Sequence, residues 1–101
     1  MTFAEFSEAV AGAGNMPPAG VSGARVALWH DARGDWEAAH DAAQADKSKA
    51  GAWVHAYLHR KEGDEGNAGY WYALAGRRMP PKGVTLAGEW EEIARALSAG
   101  A

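Results

Sequence analysis

Apolar residues recur along this chain at the spacing of helices, not strands. Leu86, Trp90, Ile93 and Leu97 make one stripe near the carboxyl end, and Trp36, Ala39 and Ala43 share a face with His40. No segment carries the sustained β-branched alternation of a strand. Helix ends are marked by caps and breakers. The spacing predicts helices near Phe3–Ala11, Gly23–Ala32, Trp36–Ala45, Ala50–Glu62, Glu65–Ala75 and Leu86–Ser98.

Two internal repeats organise these elements. Ala27-Leu28-Trp29-His30-Asp31-Ala32-Arg33-Gly34-Asp35 matches Ala56-Tyr57-Leu58-His59-Arg60-Lys61-Glu62-Gly63-Asp64 in the alanine, the histidine and the Gly-Asp pair. Each Gly-Asp reads as a tight corner, in which glycine takes a left-handed conformation that closes one helix and aspartate caps the next. The second repeat pairs Met16-Pro17-Pro18-Ala19-Gly20-Val21-Ser22 with Met79-Pro80-Pro81-Lys82-Gly83-Val84-Thr85. Proline lacks an amide donor and holds its predecessor extended, so both are connectors that lead to caps at Ser22 and Thr85.

The hairpin around Gly63 resembles a tetratricopeptide or Sel1-like repeat. Ala56, Ala68, Tyr72, Ala75 and Pro80 fall at its small, alanine, aromatic, alanine and proline positions. The earlier hairpin keeps Val26, Ala27, Gly34, Asp35 and Ala39 but has Ala43 in place of the aromatic. Over most of its length the chain also resembles a family of small uncharacterised bacterial helical proteins. That likeness rests on Leu28-Trp29, Gly34-Asp35-Trp36, Ala39-His40, Gln44, the run from Trp53 to Asp64, and Asn67-Ala68 with Tyr70-Trp71-Tyr72. It implies the fold and carries no activity. The expected architecture is one all-α domain over residues 1–101, with about two short antiparallel helix hairpins flanked by terminal helices.

Length and composition agree with a folded domain. At 101 residues, 48% apolar and 23% charged, the chain can bury a core of its own. The five tryptophans must fill that core or mark an interface. A net charge of −3 and the absence of any basic stretch with interleaved aromatics argue against nucleic acid as partner. The amino terminus does not read as a secretory signal, and no run approaches a membrane span, so a cytoplasmic, membrane-free protein is expected. With no cysteine, disulfides, thiolate metal sites and cysteine nucleophiles are excluded.

Candidate chemistry centres on the histidines. His30, His40, His55 and His59 all fall inside predicted helices. His55 and His59 are one helical turn apart, with Cβ atoms about 5–6 Å from each other, as two ligands of one divalent metal would be. By the repeat, His30 stands where His59 does and is expected to approach it, with His40 or Asp31 as a third ligand. Asp31, Asp35 or Asp64 would be the nearby carboxylate. The competing expectation is that these imidazoles replace repeat aromatics and simply pack, with no cofactor bound. Tyr70-Trp71-Tyr72 sweeps about 200° of a helix surface, more than one core face absorbs. Trp29, Tyr57, Tyr70 and Trp71 are therefore the candidate interaction surface. Arg77 and Arg78, with Lys82, follow a helix end, where they cap carbonyls or hold an anion. The leading expectation is a non-catalytic module that binds a protein, a peptide or a second copy of itself; the rival is a metal or small-molecule site, or an enzyme, built on the histidines.

Overall fold

In the computed structural model, which describes residues 1–99, every element starts from a side-chain cap. Thr2 and Glu5 form a reciprocal box, with Glu5 N donating to Thr2 Oγ1 at 3.1 Å and Thr2 N to Glu5 Oε1 at 2.8 Å. Ser22, Asp35, Ser48, Asp64 and Thr85 accept in the same way from the first turns that follow them. These caps open α1 (Phe3–Ala11), α2 (Gly23–Ala32), α3 (Trp36–Ala45), α4 (Lys49–Lys61), α5 (Glu65–Ala75) and α6 (Leu86–Ala99). The predicted bounds agree within one residue at every end. Among the described residues there is no strand, and no helix is long and apolar enough to cross a membrane.

The two Gly-Asp corners are built alike. Gly34 and Gly63 adopt φ of +83° and +87°, a region that penalises any side chain. Asp35 N then donates to His30 O at 3.0 Å, and Asp64 N to His59 O at 2.9 Å. Each corner folds a helix back on its predecessor, so α2 packs on α3 and α4 on α5. Helix α4 also meets α2, α3 and α6, and its residues from Gly51 to His59 are buried without a break. It is the axis of the fold.

Four indole N–H groups tie neighbouring helices together. Trp29 donates to Ala9 O, Trp36 to Leu58 O, Trp90 to Leu28 O and Trp53 to Glu89 Oε2, all at 3.1–3.3 Å. Each ring thereby buries apolar area while its one polar atom stays satisfied. The expected stripe on α6 holds in part: Ile93 is fully buried, while Leu86, Trp90 and Leu97 sit half-buried at the margin.

The deepest polar group on α6 is Glu89, 1% exposed. Its carboxylate accepts from Tyr72 OH at 2.6 and 2.8 Å, Arg60 Nη1 at 2.9 Å and Trp53 Nε1, which joins α4, α5 and α6. Asp46 plays a similar part between hairpins. Its Oδ2 accepts from Ala24 N at 2.9 Å, and its Oδ1 accepts from Ser48 N and Ser48 Oγ at 3.0 and 2.6 Å.

Removing one partner of a buried pair strands the other, so Glu89→Ala is expected to cost about 3 kcal/mol or more in urea unfolding. Glu92→Ala, on the exposed side of the same helix, should stay within about 0.5 kcal/mol of the parent. A Cβ added at Gly51 would lie 2.1 Å from Asp46 O and 2.8 Å from Asp46 Cβ. Gly51→Ala should therefore lower stability by about 1–3 kcal/mol despite alanine's better helix propensity, which the same titration measures.

Candidate functional site

Three of the four histidines meet on the seam between α3 and α4. His40 comes from α3, and His55 and His59 lie one turn apart on α4. Ring centroids are 4.5 Å apart for His40 and His55, 5.2 Å for His40 and His59, and 4.9 Å for His55 and His59. One nitrogen from each ring lies within 4.8 Å of one from both others. Ligands on a tetrahedral ion with 2.0–2.1 Å bonds stand about 3.4 Å apart, so small ring movements would close the set.

The surroundings fix these rings. Trp36 stacks on His40 at 4.9 Å and presents its edge to His59, and its own N–H is anchored on Leu58 O. Trp71 stacks on His55 at 3.9 Å, with the planes 17° apart. The Nδ1–H of His59 donates to Glu62 Oε1 at 2.7 Å. With Nδ1 protonated toward the carboxylate, Nε2 of His59 keeps its lone pair.

His55 differs from its neighbours in having a nitrogen that is both buried and without a partner. It is 2% exposed, and its buried Nδ1 has no hydrogen-bond partner. Burial, then the charges of His40, His59 and Lys47, push its pKa down to about 4. The ring is therefore neutral at physiological pH, the form in which imidazole binds metals.

The remaining candidates are dispersed. His30 is half-buried in α2 with its ring edge-on to Trp29, and it does not join His59 as the repeat led one to expect. Helix α2 turns the relevant face toward α1 and α6, as the Trp29–Ala9 and Trp90–Leu28 bonds require. Asp31 is also elsewhere, buried with Tyr57 OH and Lys61 Nζ each 2.8 Å from its carboxylate. Asp35 caps α3. Asp64 caps α5 through Asn67 but also lies with Glu62 beside His59. The carboxylate that grips the cluster is Glu62, three residues past His59, a spacing that the sequence displays and that the expectation passed over.

Among the aromatics expected on an interaction surface, Trp29 and Tyr57 are core residues, because α1 and α6 cover them. Trp71 is half-buried against His55. Tyr70 alone projects, 60% exposed, with Leu74 one turn on at 49%. The Arg77 guanidinium lies over the Trp53 ring at 3.3 Å, and Arg78 is exposed. Both line a cavity of about 390 Å³ that Glu89 and Glu92 also line. Compared with family models, with curated proteins and with solved structures, the chain finds no significant match.

The depressed pKa of His55 has a measurable consequence in the metal-free protein. The unfolded chain protonates this ring near pH 6.5 and the folded chain near pH 4, so between these values the unfolded state binds more protons. The contribution of His55 is complete above about pH 6.5 and is lost as pH falls toward 4, by up to about 3 kcal/mol. Urea midpoints across that window should fall with acidification, and His55→Gln should flatten the slope.

Proposed function

We propose that this chain is a small helical protein that binds a divalent transition metal through His40, His55 and His59. The observation that carries the proposal is the approach of three imidazole nitrogens to within 4.8 Å, with a buried, partnerless Nδ1 in the middle ring. An unsatisfied buried polar atom costs about 1–3 kcal/mol, and a shared ion is one way to offset that cost. Three neutral nitrogen donors without thiolate suit zinc, cobalt, nickel or copper better than magnesium or calcium. The pair of hairpins, arranged as a short tetratricopeptide- or Sel1-like array, serves as the rigid frame that brings α3 against α4.

Exposure of Tyr70 and Leu74 on α5 supports a second reading, a face that binds a protein, a peptide or another copy of the chain. The two readings are separable, because neither residue belongs to the cluster.

Isothermal titration of the metal-free protein with zinc is expected to show one equivalent bound, with quenching or enhancement of tryptophan fluorescence as Trp71 and Trp36 report on their imidazole neighbours. His40→Ala, at a half-buried position, should lose at least tenfold in affinity, and Tyr70→Ala should lose none. Zinc binding that is absent from the parent, or unchanged in His40→Ala, would refute the proposal.

A further inference from the structure

Resting on the metal reading above, we infer that the bound ion keeps one coordination position outside the protein's reach and takes there a small monodentate anion. The donor inventory leads to this. The chain has no cysteine, and among the described residues the group that converges on the cluster consists of three imidazoles. The carboxylates Glu62 and Asp64 group with His59 and not with the set formed by His40, His55 and His59. Glu62 accepts from His59 Nδ1 at 2.7 Å, and the two nitrogens of an imidazole point in diverging directions, so a carboxylate held on Nδ1 faces away from an ion on Nε2. Asp64 spends Oδ1 on Asn67 N and Oδ2 on Asn67 Nδ2.

The walls of the site do not complete the shell either. Trp36 and Trp71 cover ring faces of His40 and His55, and indole has no lone pair to offer a metal. Three protein ligands and one exchangeable position make the pattern of an open tetrahedral centre, in contrast with the four protein ligands of a closed structural site. Neutral imidazoles leave the full double charge on the ion, which favours an anion at the fourth position over a neutral ligand.

Cobalt(II) replaces zinc in such sites and absorbs visible light according to its ligands, so the full chain loaded with cobalt(II) and titrated with sodium azide tests the inference. The expected result is the intense band pattern of a four-coordinate ion and a saturable one-to-one spectral shift with azide. A bound cobalt whose spectrum azide leaves unchanged would overturn the open position and leave the metal reading standing. Failure to bind cobalt or zinc at all would overturn both. Glu62→Gln, at an exposed position, supplies the remaining arm. Its cobalt affinity should fall by about tenfold or more with the azide response retained, whereas an azide response that emerges only in Glu62→Gln would mean that Glu62 itself fills the position and the inference is wrong.

Discussion

The enclosure of α4 is the constraint on which the rest of the molecule depends. A helix surrounded by α2, α3, α5 and α6 has no solvent face for its middle nine residues, so every polar group it carries there must find a partner inside. Tyr57 finds Asp31, and His59 reaches Glu62. His55 alone is left with an idle nitrogen. The cluster is therefore a product of where α4 sits, since residues on an outer helix could have turned their rings to water.

Two buried carboxylates flank this axis in parallel arrangements. Asp31 of α2 is held by Tyr57 and Lys61, and Glu89 of α6 by Tyr72 and Arg60. Burial first, and then the adjacent carboxylate, raises both phenolic pKa values, so the hydroxyls remain donors at all ordinary pH. Ion pairs of this kind seldom exceed in stability the apolar packing that could replace them. Their geometric demands nevertheless define the angle and height at which α2 and α6 meet α4, and so help to define the space left for the imidazoles.

Helix existence and ends were legible because their signals are local: a cap, a Gly-Asp corner or a Pro-Pro connector acts within a few residues. The i,i+4 pairing of His55 and His59 was legible for the same reason. The arrival of His40 was less so, since it depends on how far α3 rotates against α4, which Trp36 settles by reaching across to Leu58. The repeat misled at His30, because equivalent positions on α2 and α4 face different neighbours once α1 and α6 are in place. Trp29 and Tyr57 went from expected surface to core by that same covering. Glu89 stands in the first turn of α6, and nothing within that helix marks it as the group that Tyr72 and Arg60 converge on.

Asp46 sits wedged between two glycines. It faces Gly23 at the start of α2 and Gly51 at the start of α4, close enough that a methyl group at either would press on it. Its side chain also secures Ala24 N and Ser48. Positions 23, 46 and 51 are thus packed as one steric unit, which joins the start of α2 to the connector between α3 and α4. A transplant of either hairpin into another scaffold has to keep its glycine, because the atom nearest a Cβ at Gly51 is the main-chain carbonyl oxygen of Asp46, which no substitution at 46 removes.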